Sequence, residues 1–166
     1  ISIIQSVANT VLRAKFTPII VVTGFESEMI CKNLSGLDVN CIKNQNWSNG
    51  LSSSLKSGIL KIKEEINGAL ISLGDMPLTS KETLLKMKRK FLSYNGNFII
   101  CPEYKNKLGN PVIIPKKIFN SVHNLIGDEG FKKIIQSNPD MVKTLKINSN
   151  EIFKDIDTQN DLINYE

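Results

Sequence analysis

Three aspartates in two separate stretches of the sequence have the chemistry to hold a metal ion. Asp75 follows the apolar run "ALISLG" and precedes Met-Pro. In open α/β sheets ligands collect at the carboxyl ends of the strands, so an acid that ends a buried strand is well placed to bind one. Mg²⁺ takes oxygen ligands, typically one or two carboxylates with waters and substrate phosphates. Asp75 is therefore a candidate magnesium ligand, and the alternative is a turn or helix-cap aspartate.

Asp155 and Asp157 form the second acidic stretch, within "KDIDTQND". Side chains two residues apart in an extended segment share a face, so both carboxylates are expected on the same side. A divalent ion held between this stretch and Asp75 would also bridge to phosphates. The alternative is again a cap, with Asp157 or Thr158 opening a last helix.

The stretch "NQNWSNGLSSSLKSGI", residues 44–59, has the composition of a nucleotide-binding loop. Gly50 allows close backbone approach, the serines offer hydroxyls, and the helix that starts there is expected to present free N–H groups to an anion or a base edge. A serine-rich helix start in an ordinary domain looks much the same. A second loop, "GDEG" at residues 127–130, either shapes a substrate site or caps a helix.

The elements that must position these residues alternate between strand and helix. Apolar, β-rich runs predict strands at residues 17–24, 37–44, 69–73, 97–104 and 110–119. Periodic segments predict helices between them, including residues 52–66 and 80–94. This alternation indicates crossover units and a mostly parallel sheet in a single domain over residues 1–166. The first helix, "SIIQSVANTVLRAKF", shows no evident cap, so we expect something to precede it.

Composition excludes several classes of protein. No apolar stretch approaches the roughly 20 residues of a membrane-spanning helix, and no signal pattern opens the chain, so we expect a cytoplasmic protein without a membrane partner. The net charge of +5 comes from lysines spread along the chain without interleaved aromatics, which argues against nucleic acid. The three cysteines are odd in number and widely spaced, so we expect reduced packing residues.

Six stretches together resemble the MobA-like nucleotidyltransferases, and the molybdenum-cofactor cytidylyltransferases more closely than the guanylyltransferases. They are "PIIVVTG", "NQNWSNGLSSSLKSGI", "ALISLGDMPLTS", "LGNPVIIP", "GDEGFKKII" and "DIDTQNDL". The resemblance implies a three-layer α/β fold with a mostly parallel sheet, Rossmann-like and similar to nucleotide-diphosphosugar transferases. It also implies that the family's first strand and glycine-rich phosphate loop are missing from residues 1–166.

The resemblance also implies roles for individual residues. Asp75 is similar in position to the catalytic Mg²⁺ ligand, with Asp155 or Asp157 as its partner. The implied nucleotide contacts are Asn44, Gly50, Ser52 and Ser54. The implied wall on the pterin side is Gly109, Asn110, Pro111, Gly127 and Asp128. Where the cytidylyltransferases usually read Gly-His-Pro this chain has Gly-Asn-Pro, and it lacks the arginine usual after "GDxGA".

The activity that the resemblance implies is transfer of CMP from CTP to molybdopterin, with Mg²⁺ as cofactor and pyrophosphate as the second product. A molybdoenzyme or cofactor-insertion protein would be a further partner. One alternative uses GTP or another small phosphorylated acceptor. Another is a non-catalytic nucleotide-binding or interaction module without a phosphate loop. Because that loop is not among residues 1–166, we expect this chain by itself to be inactive.

Overall fold

The computed structural model describes residues 1–158, 161 and 163, and alternates helices with strands. The helices are α1 (Ile3–Arg13), α2 (Ser27–Asn33), α3 (Leu51–Ile59), α4 (Lys81–Ser93) and α5 (Phe131–Ser137). The strands are β1 (Ile20–Thr23), β2 (Asn40–Lys43), β3 (Gly68–Ile71), β4 (Ile99–Tyr104), β5 (Lys107–Leu108), β6 (Val112–Pro115) and β7 (Val142–Lys146). Short 3-10 segments lie at Trp47–Asn49, Lys116–Asn124, Pro139–Met141 and Asn150–Phe153.

The strands form two hydrogen-bonded groups. Parallel strands β1 and β2 pair with each other. The second group has the order β3, β6, β4, with β7 parallel to β4 and the short β5 in a hairpin with the end of β4. Strand β6 runs antiparallel to both β3 and β4, so β3, β4 and β7 all run in one direction. The expected mixed, mostly parallel α/β sheet is confirmed.

Helical layers cover both faces of the larger sheet. Alternate residues of β4 face opposite ways: Ile99 and Cys101 pack against α3, α5 and the Lys116–Asn124 segment, whereas Ile100 packs with Met87 and Phe91 of α4. Strand β6 alternates in the same manner. This period-two burial on both faces is the signature of a sheet between two helical layers.

An open, apolar groove separates β1 from β3. Within the described part of the chain no strand pairs with the free edge of either. The groove has a volume of about 430 Å³, and its walls come from α1, α3, β1 and β3. Each edge therefore presents unpaired backbone groups to a slot between two helices. The expectation that a first strand is missing from residues 1–166 stays a prediction.

Strands β1 and β3 run parallel, although the groove separates them. Helix α1 is antiparallel to β1, because a short connection joins the end of α1 to the start of β1. Ile4, near the start of α1, lies against Gly74, just beyond the end of β3. Phe16, just after α1, packs against the core cluster that contains Phe91, and the Phe91 ring lies against Gly68 at the start of β3. The carboxyl ends of β1, β2 and β3 consequently share one edge of the molecule.

Two local expectations about helices were wrong. Helix α1 is capped: the Ser2 side chain accepts a hydrogen bond from the Gln5 backbone N–H, and the Gln5 side chain accepts one from the Ser2 N–H. This is a capping box, with glutamine three residues after serine. Helix α3 ends at Ile59 and does not extend to residue 66. None of the helices among the described residues is long and apolar enough to cross a membrane.

The expectation that all three cysteines are reduced was also wrong. Cys31 in α2 and Cys41 in β2 form a disulfide. Only Cys101 is a free thiol; burial raises its pKa to about 12, so it remains protonated. The number and spacing of the cysteines do not reveal that α2 packs beside the strand that follows it. Such bonds are rare in reducing compartments, but the expected cytoplasmic location rests on the lack of a membrane span and of a signal pattern, and not on the cysteines.

Reduction of this disulfide should destabilise the protein. The bond joins residues ten apart in sequence, and closing a loop of that length stabilises a fold by about 2.5 kcal/mol in the chain-entropy model. Urea titrations with and without dithiothreitol measure the effect. The control is the Cys31→Ser/Cys41→Ser double variant. Its free energy of unfolding should equal that of the reduced protein and should not change with reductant. If dithiothreitol destabilised the double variant as much as the wild-type protein, the prediction would be contradicted.

Candidate active site

Asp75 occupies the carboxyl end of β3 with one carboxylate oxygen unsatisfied. Its Oδ1 atom is buried and has no hydrogen-bond partner. Burial raises the pKa of Asp75 above 3.8; a hydrogen bond to its own backbone acts in the opposite direction, and the charges of Asp157 and Asp155 raise it further. A buried, unpaired carboxylate oxygen costs free energy unless something binds it. The site is therefore suited to a cation that the protein itself does not supply.

The second acidic stretch lies directly against Asp75. The backbone N–H of Ile156 donates a hydrogen bond of 2.9 Å to the Asp75 carbonyl oxygen. This contact fixes Asp155 and Asp157 on either side of Ile156, and both side chains are exposed. The two stretches, eighty residues apart in sequence, are brought together as expected.

Other residues supply the caps that were the alternative roles for these acids. Helix α4 is capped by Ser80, whose side chain accepts a hydrogen bond from the Thr83 backbone N–H. At the end of the chain Thr158 and Asp161 exchange hydrogen bonds in a capping arrangement, with Asp161 accepting from the Thr158 N–H and hydroxyl. Capping therefore does not account for Asp75 or Asp157, whereas Thr158, the other residue named as a possible cap, makes these hydrogen bonds.

The carboxylates of Asp75, Asp155 and Asp157 are suitable ligands for a hard divalent ion, but they do not surround a metal site completely. Among the described residues, no three acidic, histidine or cysteine side chains converge into a ready metal site. Mg²⁺ and similar ions commonly take one or two carboxylates and complete their shell with waters and phosphates. An Asp75 oxygen without a partner, with two exposed carboxylates beside it, matches that pattern.

The buried side chain of Asn44 hydrogen-bonds to several residues of the candidate nucleotide loop. This side chain is only 3% exposed; its amide nitrogen donates to the Ser53 and Ser54 hydroxyls, and its oxygen accepts from the Asn46 N–H. Asn44 therefore shapes the loop from inside. Ser52 is also buried, whereas Ser54 borders the groove between β1 and β3.

The two glycine-containing loops expected at opposite sides of the substrate are packed together. A Cβ at Gly50, whose φ is +93°, would lie 2.4 Å from the Gly127 carbonyl carbon and 2.7 Å from Asp128 Oδ1. The Ser52 N–H donates to the Gly127 carbonyl oxygen and the Leu51 N–H to Asp128. The "GDEG" loop thus acts as the cap of α3.

This packing corrects the expectation that α3 presents free N–H groups to an anion. The first N–H groups of the helix, those of Leu51, Ser52 and Ser53, bond to Asp128, Gly127 and Gly50 respectively. A phosphate at this helix start would have to displace them. The serine-rich start is therefore a structural joint between two loops.

The "GNP" stretch is fixed to the segment that leads into the second acidic stretch. The Gly109 N–H donates to Pro102, and the Asn110 N–H donates to the Ile152 carbonyl oxygen. A side chain at Gly109 would meet Ile152 at 2.6 Å. Glu151, next to Ile152, accepts hydrogen bonds from the Ser80 N–H and hydroxyl. Pro111 is buried, and the stretch contacts the chain at Ile152, three residues before Asp155.

The fold and this arrangement of loops coincide with a family match over most of the chain. The model of the MobA-like NTP transferase domain matches residues 1–142. The chain belongs to this family. The match covers Asp75 and the candidate nucleotide loop, and the resemblance seen in the sequence is confirmed.

Several known proteins are similar to this MobA-like domain in sequence or in structure. A nicotine blue oxidoreductase of Paenarthrobacter nicotinovorans is 22% identical over 95% of this chain and 79% of its own length. A manganese complex of Rv0371c from Mycobacterium tuberculosis H37Rv has a TM-score of 0.77 at 20% identity, covering 98% of this chain and 85% of that one. The 4-diphosphocytidyl-2C-methyl-D-erythritol synthase of Anaerococcus prevotii has a TM-score of 0.80 at 17% identity, covering 98% and 83%. At these identities the structural likeness shows the fold.

The sequence analysis did not single out two aromatic residues at the same edge of this MobA-like domain. Phe25 follows β1 and is 67% exposed, and Trp47 follows β2 and is 44% exposed. Their ring centroids are 5.8 Å apart. The available signal was an aromatic residue just beyond each of two predicted strands, one of them directly after a glycine.

Proposed function

We propose that this MobA-like domain transfers CMP from CTP to molybdopterin or its molybdenum form and releases pyrophosphate. The observation that carries the proposal is the buried Asp75 oxygen, unpaired at the carboxyl end of β3, with Asp155 and Asp157 beside it. The family provides the reaction class. The cytidine nucleotide and the pterin acceptor come from the sequence resemblance, and a structural neighbour named for a diphosphocytidyl product agrees with the former.

The reaction is an in-line substitution at the α-phosphorus of CTP. An oxygen of the pterin phosphate forms the new P–O bond, the bond between the α-phosphorus and its bridging oxygen breaks, and pyrophosphate leaves with that electron pair. The acceptor is already an anion, so no side-chain nucleophile is required. Positioning and stabilisation of charge then provide the catalysis.

The residues of this chain would hold the reactants at the shared strand edge. Asp75, with Asp155 or Asp157, would hold a divalent ion, whose chemistry when bound is to neutralise charge on the phosphates. Gly50 and Ser52 keep the nucleotide loop against the "GDEG" loop, and Ser54 accepts a hydrogen bond from Asn44 within the nucleotide loop. The "GNP" stretch fixes the acidic segment through Ile152. We propose Mg²⁺ as the ion, a cytoplasmic location, and a molybdoenzyme or insertion protein as the recipient of the product.

The test is pyrophosphate release with molybdopterin and each of CTP, GTP, ATP and UTP, with Mg²⁺, Mn²⁺ or EDTA. Residues 1–166 and the same chain with any polypeptide encoded upstream of Ile1 are assayed together, because the open groove leads us to expect little transfer from the shorter chain. Release that requires CTP, acceptor and metal supports the proposal. Preference for GTP would move the protein to the guanylyl alternative. Metal-independent binding without release from either chain would favour the non-catalytic module and overturn it.

A further inference from the structure

We propose that Phe25 and Trp47 form an aromatic platform on which the base of the nucleotide stacks. This inference rests on the proposed function, since it assigns a base site to the same edge that carries Asp75. Exposed apolar side chains are common on any protein, so exposure alone carries no weight. Three features support the platform: the position of the rings at the strand ends, the rigidity of the turns that carry them, and their exposure beside a loop whose other groups are partly engaged.

The two rings lie where a nucleotide anchored at Asp75 would extend. Phe25 and Trp47 follow the carboxyl ends of β1 and β2, and Asp75 follows the carboxyl end of β3. These ends share one edge of the molecule, with the groove between them. Ligands of open α/β sheets lie across this edge, over the strand ends. A triphosphate near Asp75 would thus place its base toward β1 and β2.

The turn that carries Phe25 is rigid, yet it exposes an apolar ring. The Thr23 hydroxyl lies 2.6 Å from that of Ser27 and donates to the Ile42 carbonyl oxygen, which ties both ends of the turn together. Glu26 adopts a left-handed conformation with a φ of +53°, which is unfavourable for a residue with a side chain. The left-handed conformation of Glu26 and the exposed ring of Phe25 do not contribute to core packing. Such a combination of strain and exposed apolar surface often marks a binding surface.

Trp47 is also held at its base while its ring stays accessible. Gly24 makes this possible, because a Cβ at that position would lie 2.5 Å from the Trp47 Cβ. On the other side, Asn44 and Ser53 fix the backbone of Asn46, the residue before Trp47. The indole is therefore positioned before any ligand arrives, which lowers the entropic cost of stacking.

Several hydrogen-bonding groups of the neighbouring loop are already engaged. Asn44 is buried, and the N–H groups that start α3 bond to the "GDEG" loop and Gly50. The rings are thus an accessible stacking surface on the β1 and β2 side of the site, and the exposed residues Gln45, Ser48 and Asn49 lie in the same loop. Base stacking tolerates different bases, because every base has a π face. The platform would provide affinity, and discrimination between CTP and GTP would arise elsewhere.

The experiment uses Trp47 as its own reporter, because it is the single tryptophan of the chain. Intrinsic fluorescence and calorimetry are followed with CTP, cytidine and tripolyphosphate in the presence of Mg²⁺. We expect CTP and cytidine to quench the fluorescence and tripolyphosphate to leave it unchanged. Phe25→Leu and Trp47→Leu should each weaken CTP binding about 5- to 100-fold. Trp47→Phe, which keeps an aromatic face, should restore most of the affinity.

The matched control is Leu92→Ala. Leu92 is 61% exposed, but it follows Phe91, which lies at the amino end of β3; its replacement should leave CTP affinity unchanged. Thermal melts identify any variant that fails to fold. If Trp47→Leu fails to fold, the CTP affinity of Phe25→Leu tests the platform, because the Phe25 ring is largely in solvent.

One result would overturn the platform and leave the proposed function standing. In it, CTP binds the wild-type protein by calorimetry without changing its fluorescence, and binds both leucine variants with wild-type affinity. No nucleotide binding by any measure would remove both. A Trp47 signal that follows protein concentration, with dimers in light scattering, would also overturn the platform by making the patch a self-association surface.

Discussion

Asp75→Asn should abolish metal-dependent nucleotide transfer while making the metal-free protein more stable at neutral pH. The variant removes the charge that a divalent ion would need and keeps the shape of the side chain. Loss of one such electrostatic group commonly lowers rate about 10²- to 10³-fold. Pyrophosphate release and Mg²⁺-dependent CTP binding by calorimetry measure the functional loss, in whichever polypeptide proves active.

The gain in stability follows from the raised pKa of Asp75. Burial, with the nearby charges of Asp157 and Asp155, raises the pKa in the folded protein above 3.8. The folded state therefore binds the proton more tightly than the unfolded chain, and stability falls as pH rises from 3.8 through the folded pKa. Below pH 3.8 both states are protonated and the effect disappears. Thermal melts in EDTA should show Asp75→Asn above wild type at pH 7 and a smaller difference near pH 4.

The control for both measurements is Asp140→Asn, which removes an exposed aspartate from the segment Pro139–Met141. It should change neither activity nor the pH dependence of the melting temperature. Divalent ions should stabilise wild type and the control but not Asp75→Asn. If Asp75→Asn kept metal-dependent binding, the carboxylate would have no ligand role. A lower melting temperature at pH 7 would mean that the residue instead contributes to folding.

The sequence predicted the features that depend on local pattern and on chain order. Continuous apolar runs such as that of β4 indicated strands covered on both faces, and each was found within a few residues of its predicted bounds. The position of Asp75 at a strand end followed from the same run. The pairing of Asp75 with Asp155 and Asp157 followed from the resemblance and from the rule that carboxyl ends of parallel strands share an edge.

Contacts between distant segments were beyond prediction from one sequence. The cap that Asp128 places on α3 joins residues 77 apart, and neither loop contains a local signal for the other. The Cys31–Cys41 bond depends on how α2 packs beside β2. The capping box of Ser2 and Gln5, by contrast, was legible as a serine followed three residues later by glutamine, and was overlooked. Side-chain roles thus failed where tertiary packing decided them.

Gly50→Ala should cause a large loss of stability. Gly50 has a φ of +93°, and an added Cβ would lie 2.4 and 2.5 Å from the carbonyl carbon and oxygen of Gly127. These are backbone atoms, so neither loop can give way by rotating a side chain. Overpacking of about 1 to 3 kcal/mol adds to a conformational cost of about 1 to 2 kcal/mol. We expect a total loss of about 2 to 5 kcal/mol.

Gly36→Ala separates the two costs. Gly36 has a similar φ of +87°, but an added Cβ would meet no atom within 4 Å. It should therefore lose only the conformational share, about 1 to 2 kcal/mol. Urea unfolding of both variants measures the difference, and nucleotide binding by the folded fraction should fall in Gly50→Ala alone, because its loop carries Ser52 and Ser54. Equal losses of stability would show that the junction between residues 50 and 127 yields easily. The two loops would then move independently, and the "GDEG" loop would be free to follow a substrate instead of serving as a fixed cap on α3.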